Sequence, residues 1–420
     1  MNRVLKYGKI FAILIASFFT FSVLSCLLPY ESIQRSVEKS LPELLEDGNY
    51  SKAILKGDRY RQDNFTDALI LNIAVCSDPK RPVWSAMMAP ISFLSSDTVE
   101  WSAAAYLNYK IEHMDLSPDW FYSRYWHGSA SVCRVLLTVM TYQQIKWFFY
   151  IVSSLLLLIF AVKIVNRAGW IKSLPLFLSL LFANFFVTQF SIQFFPVMAI
   201  ALIGGIWMCR NGTESRNKVS MCLFIAGIFT AYFDLLTAPL LTLGLPLIVY
   251  LILQGEEKKS AYELYKSIFI LCVFWFIGYA GAWVIKWILA AIFADSTAIN
   301  IAIQAIKSRT TTDEYTRWDA VVQNLNLIPF VWLNIVLSLL LLLTFFNFNK
   351  KGIPLAIAFL MVGLSPYMWY FVLSSHSHPH WWFTYRAQII SMSCAMLFFV
   401  SLIDWEKLKK RVNRHKSKHD

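Results

Sequence analysis

Long apolar runs separated by short polar segments dominate the chain from residue 147 onward, and one further run lies at its start. A helix of about 20 apolar residues crosses a hydrocarbon core of about 30 Å. Each run is therefore interpreted as a membrane span. Eight runs predict one span each, at 10–28, 147–165, 219–233, 240–254, 267–293, 328–348, 353–373 and 387–403.

The run at 174–209 is longer than the others and carries no charged residue. As a helix it would extend about 54 Å, at 1.5 Å per residue, which is nearly two bilayer cores. We therefore predict a hairpin of two spans that turns near Gln193 to Pro196. With the eight single spans, the two spans of this hairpin bring the expected number of membrane spans to about ten.

The spans divide the chain into four parts and predict an all-α integral membrane fold. Residues 1–28 form the first transmembrane helix, and residues 29–146 form a large outer loop domain. That loop is expected to be partly helical, with helices at 32–45 and 98–113. The remaining parts are a bundle of about nine spans at 147–403, with an outer loop at 294–327, and a basic cytoplasmic tail at 404–420.

The first run also has features of a secretory signal, because Arg3, Lys6 and Lys9 precede an apolar stretch. A signal core usually holds about 7–15 apolar residues, and residues 10–28 exceed that length. We expect a retained anchor rather than a cleaved peptide.

Composition supports the membrane class: 57% of residues are hydrophobic and 15% are charged, against roughly 25% charged in typical soluble domains. A soluble fold of this length could not bury so much apolar surface. The net charge of +12 lies mostly in short segments on one side and in the tail, whereas the turns near 193 and 237 carry no lysine or arginine. This bias places both termini in the cytoplasm and indicates membrane lipids, not nucleic acid, as the partner of the basic residues.

Three polar clusters lie on the predicted outer side. In the first, Asp63 and Asp67 are four residues apart and share one face of a helix. A carboxylate there could serve as a general base toward an acceptor hydroxyl or help to bind a divalent cation. The alternative is a helix N-cap with a solvated face.

The second cluster contains Arg124, Trp126 and His127. Aromatic rings stack on sugar rings, while arginine and histidine bind phosphate. An interfacial aromatic belt would also account for Trp126. It would not account for Arg124 and His127.

The third cluster, at the start of the last span, holds His376, His378, His380, Tyr385 and Arg386. In an extended segment the three histidines would share a face that could hold a metal. Binding of a lipid-linked phosphate with Arg386 is the favoured interpretation, and snorkelling of Arg386 to lipid headgroups is the alternative.

Other polar residues leave alternatives open. The segment at 295–327, which includes Arg309, could be a lid or a solvated connection. Asp234 and Lys286 could pair or line a polar cavity. Cys76 and Cys133 could form a disulfide or remain buried thiols.

The architecture resembles that of the GT-C superfamily: a cytoplasmic N-terminus, one span, a large acidic outer loop, and then many spans. These multi-pass glycosyltransferases use polyprenyl-phosphate-linked sugars. At the level of motifs the resemblance rests on 63–67, 124–128 and 376–386. It implies that Asp63, and Asp67 second, serves as base or metal ligand. The family carboxylate usually lies just after the first span, so the position of Asp63 departs from the pattern. The short stretches also resemble uncharacterised bacterial proteins from surface-polysaccharide clusters.

The resemblance implies transfer of a sugar from a polyprenyl-phosphate-linked donor to a glycan or lipid acceptor, in a bacterial-type plasma (inner) membrane. Asp63 would act as base, and Arg124, His127, His376, His378, His380 and Arg386 would bind phosphate, with Trp126 and Tyr385 framing the sugar. No cofactor is required by the sequence, although a divalent cation is possible. A transporter or flippase, or a polymerase, of lipid-linked glycans is the alternative.

Overall fold

The structure is a computed structural model and describes residues 3–51, 60–93, 102–188, 190–257, 259–310 and 313–416. Nearly all regular structure in these ranges is helical. One short antiparallel sheet pairs β1 (Pro90–Ile91) with β2 (Trp120–Phe121). The predicted all-α class is confirmed, apart from this sheet.

The helices follow one another with short connections. In chain order they are α1 (Arg3–Cys26), α2 (Tyr30–Glu38), α3 (Leu41–Asp47), α4 (Asn64–Cys76), α5 (Pro82–Met88), α6 (Ala103–Glu112), α7 (Gly128–Leu137), α8 (Tyr142–Ala168), α9 (Trp170–Phe182), α10 (Phe185–Thr188), α11 (Phe195–Asn211), α12 (Arg216–Phe233), α13 (Leu241–Glu256), α14 (Ala261–Phe293), α15 (Ala298–Thr310), α16 (Arg317–Leu325), α17 (Phe330–Phe346), α18 (Ile353–Gly363), α19 (Ser365–Val372), α20 (Ser374–Ser377), α21 (Trp381–Thr384), α22 (Gln388–Leu402) and α23 (Trp405–Lys416). Two 3₁₀ turns cover Lys350–Gly352 and Tyr385–Ala387.

Several helices are long and apolar enough to cross a membrane. Within the described ranges there are five: Val4–Cys26, Tyr142–Ala168, Ala261–Phe293, Lys350–Val372 and Trp381–Leu402. Helices α16 and α17 make a sixth if their 82° bend lies within one span. The chain therefore has the composition of a multi-pass membrane protein, and the total of ten spans stays a prediction.

Every predicted span coincides with at least one helix, but some boundaries differ. The predicted hairpin at 174–209 folds as α9, the short α10 and α11, so its break is wider than a turn at Gln193. Pro196 lies in the first turn of α11, where a missing N–H costs no hydrogen bond. The expected outer helix at 32–45 is divided into α2 and α3. Of the helix expected at 98–113, residues 98–101 lie outside the described residues, and α6 begins at Ala103.

The described residues between Pro29 and Lys146, which the sequence predicts as the outer loop and which we call the outer unit, fold around α4. This helix is buried on all sides. Its residues from Asp67 to Cys76 are all buried, as expected of a helix that is apolar around its whole circumference. The buried Arg134 of α7 donates to the carbonyls of Ala74 on α4 and Ser25 on α1. These hydrogen bonds connect the outer unit to α1, which is the first predicted span.

Within the bundle, α12 and α14 pack unusually closely through Gly227 and Gly278. A Cβ atom at either position would overlap the backbone of the facing helix, at Trp275 or at Phe224. Small residues permit such close approach between membrane helices. At its end, α12 contacts α7, where the Ser129 hydroxyl donates to the Phe233 carbonyl at 3.4 Å.

Candidate functional site

A cleft lies where the outer unit meets the bundle. Its inner part has a volume of about 140 Å³ and includes Asp63 and His127 in its lining. Its outer part has a volume of about 440 Å³ and includes Arg124. Both parts share Arg309, His376 and His380, so they adjoin. Aromatic side chains line much of the inner part, namely Tyr50, Phe65, Tyr122, Tyr125, Trp382 and Phe383.

Asp63 is held in the inner part by the start of α4. It is the N-cap residue, and its Oδ1 accepts a hydrogen bond from the backbone N–H of Thr66 at 3.0 Å. The N-cap part of the alternative interpretation is therefore correct. Its second part, a helix face in contact with solvent, is wrong because Asp63 is only 1% exposed. Its Oδ2 has no hydrogen-bond partner among the described residues. One carboxylate oxygen thus remains available to a ligand.

The surroundings of Asp63 raise its pKa to about 7. Burial is the main cause, since it penalises the charged form. The hydrogen bonds from Thr66 and the charge of Arg386 oppose this effect, while the neighbouring Asp67 adds to it. A carboxyl with a pKa near 7 is well matched to proton transfer at neutral pH.

Asp67 lies one turn further along α4 and has a different environment. Its Oδ1 accepts from the Ser191 hydroxyl and the Gln193 N–H, both at 3.1 Å. Its Oδ2 accepts from the Tyr142 hydroxyl at 3.0 Å and the Ile192 N–H at 3.1 Å. With four hydrogen bonds, this carboxylate joins the outer unit to the segment before α11. The geometry therefore argues against the predicted catalytic role of Asp67.

Two arginines give the cleft its positive charge. The Arg124 guanidinium lies over the Tyr122 ring, 4.0 Å from its centroid. Arg309, from the end of α15, donates to the Tyr125 hydroxyl at 3.0 Å. The Nε atom of each arginine is buried and has no hydrogen-bond partner among the described residues. The two guanidiniums could bind an anion such as a phosphate.

Arg386 does not line the cleft, although the sequence predicted that it would bind phosphate there. It is 2% exposed, and its guanidinium lies 4.3 Å from the centroid of the Phe194 ring. Its Nε and Nη2 have no partner among the described residues. Its charge is close enough to lower the pKa of Asp63. Arg386 is therefore placed to stabilise the Asp63 carboxylate rather than to bind an anion in the cleft.

His127 and His376 reach the cleft but do not supply positive charge. The Nε2 of His127 is 3.0 Å from the Tyr122 carbonyl oxygen, and that of His376 is 2.9 Å from the Leu236 carbonyl oxygen. Because a carbonyl only accepts, each Nε2 carries the proton and each Nδ1 carries the lone pair. Burial lowers the pKa of His127 to about 3 and that of His376 well below its ordinary value. Neutral histidines of this kind accept hydrogen bonds, so the predicted phosphate-binding role does not fit them.

The three alternating histidines do not share one face, because the segment is helical rather than extended. His376 and His380 are four residues apart, with ring centroids separated by 4.8 Å, whereas His378 stacks on Tyr315 away from the cleft. His380 lies at the rim. No group of three or more His, Cys, Asp or Glu suited to a metal occurs among the described residues.

Trp126 and Tyr385 were expected to frame a sugar, but both belong to the core. Trp126 donates its Nε1–H to the Ala282 carbonyl at 2.9 Å. Tyr385 donates to the Ala183 carbonyl at 3.1 Å and is fully buried. The flat surfaces of the cleft come instead from Tyr122 and its aromatic neighbours. Position in the sequence does not show which of the many aromatic residues line the cleft.

Local contacts resolve two of the remaining alternatives, for the Asp234–Lys286 pair and for the Cys76–Cys133 pair. Asp234 caps the turn before α13 by accepting from the Thr237 N–H at 2.9 Å. Lys286 donates to the Met87 carbonyl at 2.6 Å, so these two residues do not pair. Cys76 and Cys133 are both buried free thiols.

No protein-family model, curated protein or solved structure matches this chain. The GT-C resemblance therefore stays a prediction from architecture and short motifs.

Proposed function

We propose that this chain is a membrane glycosyltransferase of the GT-C type. It would move a sugar from a polyprenyl-phosphate-linked donor to an acceptor hydroxyl on the outer face, in the assembly of a surface glycan. One observation carries the proposal: a single cleft combines Asp63, whose Oδ2 has no hydrogen-bond partner in the described part of the chain, with the guanidiniums of Arg124 and Arg309. Transfer from a phosphate ester needs both a base and cations for the departing phosphate.

The reaction is assigned to these groups as follows. Asp63 Oδ2 removes the proton of the acceptor hydroxyl, and the acceptor oxygen attacks the anomeric carbon. The bond between that carbon and the phosphate oxygen breaks, and the oxygen keeps the electron pair. Arg124 and Arg309 bind the resulting polyprenyl phosphate through charge-assisted hydrogen bonds.

The neutral histidines and the aromatic rings have separate roles in this proposal. The Nδ1 of His127 has no partner among the described residues and would accept a hydrogen bond from a sugar hydroxyl. Tyr122 and Tyr125 line the inner part of the cleft with their ring centroids 5.5 Å apart and would border a bound sugar ring. Ten spans, cytoplasmic termini and an outward-facing cleft are part of the same proposal.

The proposal is tested with purified protein in liposomes that contain a labelled polyprenyl-phosphate sugar and a short glycan acceptor. Transfer would yield labelled glycan and free polyprenyl phosphate in equal amounts. Movement of intact donor between leaflets without release of polyprenyl phosphate would support a transporter or flippase instead. Assays with and without EDTA would determine whether a divalent cation is needed.

A further inference from the structure

A second large cavity lies at the other end of the bundle from the cleft. Helices α13 and α22 each begin near the cleft and end at this cavity. With 15 residues, α22 alone extends about 22 Å at 1.5 Å per residue. The two sites are therefore separate. The cavity has a volume of about 980 Å³.

Four lysines line this cavity, which we call the lysine-rimmed cavity: Lys172, Lys259, Lys351 and Lys409. None of the lining residues that the structure describes is Asp or Glu. Lys259 has its own ion pair with Glu257, 3.3 Å away, just outside the lining. Lys351 and Lys409 are exposed and come from different elements, the 3₁₀ turn before α18 and the terminal helix α23. Their convergence gives the cavity a positive rim.

The interior and one side of the cavity are apolar. Phe359 and Leu397 are buried in its lining, and Trp170 and Ile171 lie at its edge with 68% and 40% of their surface exposed. Exposed tryptophan is typical of the boundary between membrane and water. A ligand here would place a charged group at the lysines and an apolar part along these side chains.

Gln254 supplies a specific polar contact. It is 1% exposed and lines the cavity, and its Nε2 donates to the Gly212 carbonyl at 3.0 Å. Its Oε1 has no hydrogen-bond partner among the described residues. A buried acceptor without a donor is costly, so a ligand that brings a hydroxyl would be favoured.

We propose that the lysine-rimmed cavity binds an anionic glycerophospholipid of the membrane leaflet at this end of the bundle, with a hydroxyl-bearing headgroup. The phosphate would interact with Lys351 and Lys409, a headgroup hydroxyl would donate to Gln254 Oε1, and the acyl chains would leave past Trp170. Basic pockets between membrane helices suit such headgroups. The proposal does not depend on sugar transfer.

The full-length chain would be purified and examined by native mass spectrometry with phosphatidylglycerol, phosphatidylcholine or phosphatidylethanol. Phosphatidylethanol has the charge of phosphatidylglycerol but no headgroup hydroxyl. We expect phosphatidylglycerol to be retained best. Equal retention of phosphatidylcholine would overturn the proposal, and equal retention of phosphatidylethanol would overturn the role of Gln254. Displacement of the lipid by glycerol phosphate would assign the site to a soluble ligand instead.

A matched pair of double variants tests the location. Lys351→Gln with Lys409→Gln should lower phosphatidylglycerol retention about tenfold. Lys350→Gln with Lys410→Gln makes the same charge change at neighbouring exposed positions that do not line the cavity, and should leave retention unchanged. Equal loss in both variants, or no loss in either, would overturn the proposal. Asp63→Asn should still retain the lipid, so failure here is distinguishable from failure of the transferase proposal.

Discussion

Asp63 and Asp67 lie one helical turn apart on the same buried segment, yet of the two only Asp63 lines the cleft and has an oxygen that no described residue contacts by a hydrogen bond. Asp67 accepts four hydrogen bonds from the segment before α11 and from Tyr142. Two identical side chains therefore have different roles, which are set by long-range contacts. Asp67 holds the outer unit on the bundle, and Asp63 faces the proposed substrate.

Asp67→Asn should destabilise the protein. An amide at this position would turn an NH₂ group toward donors such as the Ile192 N–H, leaving hydrogen bonds unmade at about 1–3 kcal/mol each. We expect a clear fall in the midpoint of thermal unfolding in detergent. Asp63→Asn is the matched control, because asparagine is an equally good N-cap and should keep the bond to Thr66. Equal unfolding midpoints for the two variants would contradict this distinction.

The pH dependence should reflect the raised pKa of Asp63. Its pKa rises from 3.8 to about 7 on folding, so the folded chain binds this proton more tightly than the unfolded chain does. The stability associated with the neutral carboxyl is full below pH 3.8 and is lost as the pH rises to about 7. The unfolding midpoint of Asp63→Asn should therefore rise relative to that of the unchanged protein between about pH 4 and 7. A midpoint for Asp63→Asn that falls relative to that of the unchanged protein as the pH rises would show the opposite shift.

The rate of transfer should change in the opposite direction to stability. Asp63 is a base only when ionised, so kcat should increase with pH and level off above its pKa of about 7. The measurement is a pH profile of initial rates at saturating donor. A flat profile from pH 5 to 8 would remove Asp63 from the role of base.

Arg309→Gln should weaken binding of the donor phosphate. Removing one of two cations costs a charge-assisted hydrogen bond, and we expect KM for the donor to increase about tenfold. Arg317→Gln is the control, because Arg317 is exposed on α16 and does not line the cleft. Equal KM values for the two variants would show that Arg309 does not contact the donor.

The proposed orientation can be tested by labelling single introduced cysteines in intact cells. Lys80 is exposed on the outer unit, and Lys410 is exposed on the terminal helix α23. The two variants are Lys80→Cys and Lys410→Cys. A membrane-impermeant maleimide should label position 80 in intact cells and position 410 only after permeabilisation. The unchanged protein sets the background, since its seven cysteines are buried or half-buried. The reverse pattern would invert the topology.

Local pattern was sufficient to predict the long helices of the bundle, and it offered the N-cap at Asp63 as one of two alternatives. Apolar runs are a property of the sequence, and a polar residue before such a run indicates a helix start. The same reasoning could not separate Asp63 from Asp67, because the partners of Asp67 lie more than 70 residues away.

The histidine cluster illustrates a different failure. Alternating His376, His378 and His380 have the spacing of one face of a strand, but the chain there is helical and pairs the first with the third. Burial and carbonyl contacts then make His376 neutral. Arg309 was assigned only to a possible lid, since nothing in its local sequence links it to Tyr125.

The central claim is that Asp63 is the base of a sugar transfer in the cleft. Its most direct test compares Asp63→Asn with the unchanged protein in liposomes, by release of polyprenyl phosphate from a labelled donor. We predict a loss of about 100-fold or more in kcat, with no loss of thermal stability and an unchanged KM for the donor. Full release of polyprenyl phosphate by the Asp63→Asn variant would contradict the claim.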